Sequence, residues 1–561
     1  MSGDTPTFPD AFNMADYFVF SNIEAGRGDK VAIIFEDQRI TYRQVADNVM
    51  KVARRLVDEG LLPEQRVLVC VQDRPEFVYA WFGAIKAGAT VTQINPLLPA
   101  EDYEYYLNYV KPQFAFVDEA SIANFDAALR KTRHCNINDF RDNVIVAGRT
   151  RLESPRKVYF EHDNAPPADS YEPDSHQSFD FWLSLPCDKA SQPWPTRKDD
   201  PAVWLFTSGS TGQSKGAVHM HHHFAFNTEV YAKAFIGMGQ DDITISGPRL
   251  FFGYATGTNL MFPFAVGATT VLFKEHPTPE LLAGLIDQHR CTVLTSVPTL
   301  INKFIQSPSL SRQILASLRF MWSAGEALPA ELHAHWEEIY GVPIIDGIGS
   351  AESFHIYISN RPGDIKPGSL GRLVPGYTAR LFDDNDQPVA RGDVGTLWVR
   401  GDSVATHYHA AYDKSREHLR GGWIVSGDKF RQDAEGYWYY EGRGDDLLKV
   451  GGIFVSPLEV ENCLMQHPAV KECCVIGKND EAGLTKPLAI VVRQAQGARN
   501  ASEHAVGSVE YDSLAAELIA HCKAKLVRYK APHWVKFVDQ PLPRNDRDKI
   551  DRKLLRKQYG N

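Results

Sequence analysis

Short apolar runs alternate with helix-like patterns from the N-terminal region to about Asp346, and this alternation constrains the fold most. Arg66–Val71 reads as a strand, Pro75–Ala87 as a helix and Thr90–Ile94 as a second strand. The rhythm returns as a helical Glu280–His289, an extended Thr292–Val297, a helical Leu328–Tyr340 and an extended Val342–Asp346. Strands alternating with helices predict parallel sheets covered by helices, an α/β class. The chain has 561 residues, more than one hydrophobic core accommodates, so two or more folding units are expected.

The texture changes along the chain. Arg151–Asp200 is rich in Pro, Asp, Ser and His and reads as a surface excursion before the next strand. From about Tyr377 short β-like runs follow at Ala379–Phe382, Gly395–Val399 and Gly436–Tyr440, a small β-rich subdomain. A third texture begins near Asp445. It holds a helix at Pro457–Gln466, strands at Val470–Ile476 and Leu488–Val492, a helix at Ser513–Leu526 and a strand at Trp534–Val538. That is a small α+β unit. The boundary is placed at Gly444–Asp446, giving domains 1–444 and 445–561.

The net charge is −10 and no long basic run is present, so nothing favours nucleic acid. The opening MSGDTPTFPDAF lacks the charged and apolar regions of a secretory signal. The apolar stretch Leu260–Phe273 is short for a membrane span and is interrupted by Pro263, so a buried core segment is expected. Eight cysteines form no C-x-x-C pair and no zinc spacing. They read as reduced, mostly buried thiols of a cytoplasmic protein.

Chemistry concentrates where the apolar run Val203–Phe206 stops abruptly in Thr207-Ser-Gly-Ser-Thr-Gly-Gln-Ser-Lys-Gly216. Glycines let the backbone approach an anion, and exposed N–H groups cradle phosphate oxygens. The hydroxyls of Thr207, Ser208, Ser210 and Thr211 add donors and Lys215 adds a point charge. The spacing is not that of a Walker loop. Composition alone leaves phosphate binding open against a flexible surface loop.

The string itself resembles the phosphate loop of the adenylate-forming superfamily: acyl- and aryl-CoA synthetases, luciferases of the firefly type and peptide-synthetase adenylation domains. Ser214 stands where that loop usually has Pro. Further motifs follow in the family's order. Ser323-Ala-Gly-Glu-Ala-Leu-Pro329 resembles the adenine-lining segment, which implicates Ala324, Gly325 and Glu326. Asp346-Gly-Ile-Gly-Ser-Ala-Glu352 resembles the segment that holds adenine and the α-phosphate. The resemblance implies that Asp346 meets the adenine amino group, that Gly347, Ile348, Gly349 and Ala351 line the nucleotide, and that Glu352 holds Mg²⁺. A carboxylate suits a hard cation that bridges phosphates. Ser426-Gly-Asp428 resembles the ribose motif, with Arg443 beside ribose or phosphate. Asp445 falls on the hinge position, and Lys449-Val-Gly451-Gly452 resembles the loop that meets pantetheine of CoA. Pro543–Arg552 resembles the terminal motif, which makes Lys549 the adenylation lysine. The fold implied is a large N-terminal domain of stacked sheets and helices with a small β-rich subdomain, then a small mobile α+β domain.

Within the superfamily, Arg249–Gly257 and Ser353–Asn360 look most like benzoate-type aryl-CoA ligases. By residue match Phe252, Tyr254, Gly349, His355 and Ile356 contact the acid. Gly253, Ala255, Thr256, Ser353 and Phe354 differ from the benzoate-specific pattern, which points to a substituted ring such as 2-aminobenzoate or a hydroxybenzoate. Two more departures concern rate. Ala351 replaces the usual Thr, and losing its hydrogen bond to phosphate costs ~1–3 kcal/mol. Arg547-Asp548 replaces the usual Ser/Thr-Gly before Lys549. His219-Met-His-His-His223 lacks an acidic or Cys partner, so a structural role is expected over a metal site.

The function implied is an AMP-forming ligase using ATP, Mg²⁺ and coenzyme A to activate a small aromatic carboxylic acid. The alternatives are an adenylating enzyme that loads a separate carrier protein, or a weakly catalytic nucleotide binder. The expected partners are the acid and CoA, with no nucleic acid and no membrane span, in a monomer or homodimer.

Overall fold

The computed structural model describes residues 5–132, 156–160, 177–184, 186–188, 190–208, 213–444, 448–450, 453–481, 484–494, 509–544 and 550–560. Among these, the N-terminal strands gather mainly into two large sheets. One runs Gln177–Ser178, Arg156–Phe160, Phe114–Asp118, Arg66–Cys70, Thr90–Gln93, Pro201–Ser208, Ser214–Met220. It is parallel except for its last pair. The other runs Arg372–Leu373, Ile356–Ser359, Ile344–Gly349, Phe320–Ser323, Val293–Ser296, Ile243–Ser246, Thr269–Leu272, Val31–Phe35, Gln38–Thr41, and is parallel from Ile344–Gly349 to Val31–Phe35.

The local sequence accounts for these elements. Arg66–Cys70 and Phe114–Asp118 are covered on both faces, as parallel strands require, and read as nearly continuous apolar runs. Pro75–Ala87 takes its proline in the first turn, where no N–H is missed, and buries residues all round its circumference. Thr278 caps Pro279–His289 by accepting from the Leu281 N–H. One continuous core unites Val67, Phe77 and Trp81 of the first layer with Phe262, Trp322, Ile345 and Ile356 of the second. Leu260–Phe273 lies in this interior as two helical turns and a strand, the core segment its composition implied.

One expectation is corrected. Part of Arg151–Asp200 is not a surface excursion: Arg156–Phe160 pairs in parallel with Phe114–Asp118, and helix Phe179–Ser184 buries Phe179 and Trp182. Their rings pack on Phe116 at 6.2 and 5.8 Å. Two large aromatics outweigh a polar neighbourhood, since each buries far more apolar area than the flanking Asp and Ser expose.

Thr378–Phe382, Gly395–Arg400 and Trp423–Gln432 form the antiparallel β-rich sheet with Leu419–Arg420 and Trp438–Arg443. From Leu448 onward apolar residues pack among themselves. Two clusters draw only on that stretch, around the three-stranded sheet Val470–Asn479, Thr485–Arg493, Trp534–Val538. Among the described residues no helix is long and apolar enough to cross a membrane. Seven described cysteines are free thiols, all but Cys187 buried.

Candidate active site

Functional side chains collect at the carboxyl ends of parallel strands, where open α/β sheets expose unpaired main chain and bind ligands. Thr207 and Ser208 end one strand, Ser323 another, and Asp346–Gly349 a third.

The two ends of the phosphate-loop string pair antiparallel, with Thr207 opposite Lys215 and Ser208 opposite Ser214. Ser210 and Thr211 lie outside the described residues, as does the Ser208 side chain. Three tyrosines hold the Lys215 strand. Tyr105 Oη donates to the Ser214 carbonyl. Tyr109 Oη accepts from the Gly216 N–H at 3.2 Å and donates to the His409 carbonyl. The Tyr408 ring centroid lies 5.6 Å from the Lys215 ammonium. None of the three was read from sequence. Tyr105 and Tyr109, stacked one helical turn apart, are the only local signal for the first two.

Glu352 sits in the short turn Ala351–Ser353. Its Oε1 accepts from Tyr408 Oη at 2.7 Å, and its carbonyl accepts from the Ala405 N–H at 2.7 Å. Burial pushes the Tyr357 phenol up, and the charges of Asp428 and Glu352 push it further. Asp428 pairs with Arg443 across two strands of the β-rich sheet. Among the described residues no three His, Cys, Asp or Glu side chains gather as a metal-ligand set. Three histidines of the run point into the interior. His219, His221 and His223 are buried, and burial lowers His219 to about 4 and His221 to about 3. His219 Nε2–H donates to the Ala351 carbonyl at 2.7 Å, tying the phosphate-loop strand to the Glu352 turn.

On the adenine side Ala324 is buried, and the carboxylate of Glu326 accepts from the N–H and hydroxyl of Thr299 at 3.1 and 2.8 Å. That carboxylate thereby caps helix Pro298–Gln306. Asp346 is buried with Oδ1 lacking a partner among the described residues. Burial pushes its carboxyl up to about 8 against the pull of neighbouring Ser323 and Gly347.

A cluster of aromatic and imidazole rings lies within electrostatic reach of Asp346. Tyr254 and His355 lie with ring centroids 5.5 Å apart, Phe262 packs on His355 at 4.7 Å, and Tyr231 at 5.9 Å. His355 Nε2–H donates to the Tyr254 carbonyl at 3.0 Å, and burial lowers the imidazole to about 4. The ring is therefore neutral with Nδ1 as a bare acceptor. Nδ1 and the Tyr254 hydroxyl are both buried without a partner among the described residues. Folds seldom bury such atoms unpaired, so Asp346, Tyr254 and His355 together mark a place for a polar ligand.

Two glycines make room for His355. A Cβ on residue 349 would lie 2.4 Å from the His355 carbonyl oxygen, and one on residue 257 would lie 2.2 Å from the imidazole. Gly349 pairs with Ile356 at an irregularity in the strand register. Phe354, between Glu352 and His355, has φ +69 and ψ −54, an inverted turn rare for a side-chain-bearing residue. It carries the chain from the phosphate side to the acid side. The cluster is fixed from below. Gln93 Nε2 donates to Thr256 Oγ1 at 2.6 Å and the Leu250 carbonyl at 3.0 Å, while Trp81 Nε1–H donates to Gln93 Oε1 at 2.6 Å.

Tyr254, Gly349, His355 and Ile356 lie together. Phe252 does not join them in the interior; it is 47% exposed, against Phe251. Tyr231, missed in the sequence, enters from the helical segment Thr228–Ile236, which carries no motif. Asp445, Gly451, Gly452 and Lys549 lie outside the described residues, as does the Arg443 side chain.

Comparison with known proteins meets this arrangement from another side. Residues 20–409 match the AMP-binding enzyme family, and residues 459–549 match the AMP-binding enzyme C-terminal domain. A benzoate–CoA ligase of Thauera aromatica is 37% identical, over 98% of this chain and 96% of that protein. The structure of the anthranilate CoA ligase AuaEII in complex with anthranoyl-AMP is similar with a TM-score of 0.83 at 34% identity, covering 98% of each chain. A benzoate CoA ligase from Burkholderia xenovorans gives 0.80 at 34%, over 97% of this chain and 100% of that one. With motifs, strand-end site and full-length similarity in agreement, the chain belongs to the AMP-binding, adenylate-forming enzyme family.

Proposed function

We propose that the protein is an AMP-forming aryl-CoA ligase acting on a small substituted benzoate. The cluster of Tyr254 and His355 within electrostatic reach of Asp346 carries the reading, supported by the similarity to ligases for benzoate and anthranilate. A flat ring fits walls of aromatic rings and glycine. The bare Nδ1 of His355 accepts a hydrogen bond, so an amino or hydroxyl substituent satisfies it and an unsubstituted ring leaves it orphaned.

In the first half-reaction a carboxylate oxygen of the acid attacks the α-phosphorus of ATP, and pyrophosphate leaves. Lys215 and Lys549 stabilise charge on the transferring and departing phosphates, and the loop N–H groups orient them. Asp346 receives the adenine amino group, Asp428 the ribose hydroxyls. Glu352 is a fitting ligand for Mg²⁺: it is a carboxylate whose second oxygen has no partner among the described residues. When bound, the cation neutralises phosphate charge. In the second half-reaction the CoA thiolate attacks the acyl carbonyl, the C–O bond to phosphate breaks and AMP leaves. The unit from Asp445 turns between the two, withdrawing Lys549 and presenting Gly451 and Gly452 to the pantetheine arm.

The test is acid-dependent pyrophosphate release across benzoate, 2-aminobenzoate, hydroxybenzoates, cinnamate, phenylacetate and short fatty acids, with and without CoA. Steady turnover with a substituted benzoate only when CoA is present, with acyl-CoA as product, is expected. Pyrophosphate release with no acid, or turnover with aliphatic acids alone, rules the reading out.

Two further outcomes follow from the same residues. An adenine N–H donated to Oδ1 favours ionised Asp346, so ATP binding expels a proton wherever free Asp346 is protonated, below about pH 8. Affinity therefore rises with pH to about 8 and then levels. Without ligand the sign is opposite: the raised carboxyl favours the folded state at low pH, and that contribution fades as pH climbs through about 8. Calorimetry at pH 7 in buffers of different ionisation enthalpy reads the proton directly; identical heats contradict the role of Asp346. Restoring the family hydroxyl, Ala351→Thr, is expected to raise the adenylation rate about tenfold, the worth of one hydrogen bond to a charged phosphate. Single-turnover pyrophosphate release measures it.

A further inference from the structure

We infer that Tyr408 is a positioning residue for the first half-reaction, holding the Glu352 carboxylate and the Lys215 ammonium apart in one fixed arrangement. This rests on the roles proposed above for Lys215 and Glu352 and adds what orients them. Glu352 occupies a three-residue turn, too short to fix a side chain with three rotatable bonds. Two residues on one neighbouring segment supply the constraint: Ala405 N–H holds its carbonyl and Tyr408 Oη holds its Oε1, each at 2.7 Å.

Tyr408 is itself immobilised. It is 5% exposed and packs on Ala217 and Ala405, and its N–H donates to Ser415 Oγ at 2.9 Å. Its segment runs as an added strand along the Lys215 strand. Thr406 N–H donates to the Val218 carbonyl, Val218 N–H to that of His407, and His409 N–H to that of Gly216, at 3.0, 2.9 and 2.8 Å. The ring therefore has Lys215 over its face and Glu352 at its hydroxyl.

The arrangement solves a problem of opposite charges. An ammonium and a carboxylate a few ångströms apart collapse into a pair that neutralises both. Among the described residues no ion pair joins Lys215 to Glu352; the phenol stands between them. One Glu352 oxygen takes the O–H and the other is left for the cation, while Lys215 is left for phosphate oxygens.

The decisive variant is Tyr408→Phe, which keeps the ring and deletes the hydroxyl. The gain in ATP affinity on adding Mg²⁺, read by calorimetry against EDTA, is expected to shrink about tenfold, while Mg²⁺-free affinity stays unchanged. Pyrophosphate release should fall by a similar factor at limiting Mg²⁺ and recover as Mg²⁺ is raised. Acyl-CoA formation from supplied aryl-AMP should be retained. In a Glu352→Gln background the same change should cost nothing more. Wild-type Mg²⁺ dependence in Tyr408→Phe, equal loss in both half-reactions, or independent effects of the two substitutions overturns the inference. If the unaltered protein activates no aryl acid, the ligase reading fails instead. If Glu352→Gln alone leaves Mg²⁺ dependence intact, the role of Glu352 falls, and with it that of Tyr408.

Discussion

Lys549→Ala is expected to slow acid-dependent pyrophosphate release by about 100- to 1,000-fold, the range seen when one preorganised donor to developing charge is removed. Thioester formation from supplied aryl-AMP should stay close to wild type. The split follows from the chemistry. Charge builds on the transferring and leaving phosphates only while pyrophosphate departs; when the thiol attacks, no pyrophosphate is present. The flanks of this lysine suit precise delivery of a charge. Arg544 and Ile550 pair on either side of it, and Asp551 caps helix Arg552–Tyr559 by accepting from the Leu554 N–H at 2.9 Å. Arg552 grips Glu461 through both guanidinium nitrogens at 2.6 and 3.1 Å, and Glu461 Oε1 accepts from the Val475 N–H at 2.6 Å. Retention of full adenylation by the alanine variant would move the role to another residue.

Gly349→Ala is the second large effect, and it comes from geometry. The added methyl would lie 2.4 Å from the His355 carbonyl oxygen and 2.7 Å from the Ile356 nitrogen. Both are main-chain atoms of the paired strand, so no side chain can swing aside, and the strands must part. Overpacking of this kind costs about 1–3 kcal/mol of stability. The larger cost falls on catalysis. Moving the Ser353–Ile356 segment shifts Glu352 and His355 together, and a misplacement of about 1 Å lowers rates by around 100-fold. Thermal unfolding and pyrophosphate release measured together distinguish the outcomes. A variant that unfolds a few degrees lower but adenylates at the wild-type rate would refute the coupling between this strand pair and the site.

Much of this is legible because the family's motifs are short and continuous. Thr207–Gly216, Ser323–Pro329 and Asp346–Glu352 each sit where a strand ends and main chain is left unpaired, and such turns depend on local residue types. The helices and strands with clear periodicity, such as Pro75–Ala87 and Trp534–Val538, were likewise read directly from the residues. Arg151–Asp200 was misread because polar composition masks two aromatics that decide the packing. Phe252 and Tyr254 share an aromatic segment, yet the turn that half-buries Tyr254 leaves Phe252 exposed.

What the sequence by itself determined is the family and the short motifs that gather at the strand ends, because each motif is a continuous run of local residue types. What only the tertiary structure decided is how those motifs are held. Tyr408 reaches Glu352 and Lys215 from a separate segment, Tyr109 reaches Gly216 from a helix, and His219 reaches Ala351 across the core. These partners are joined by sheet register and layer packing over long separations, and neither leaves a periodic or compositional trace along the chain.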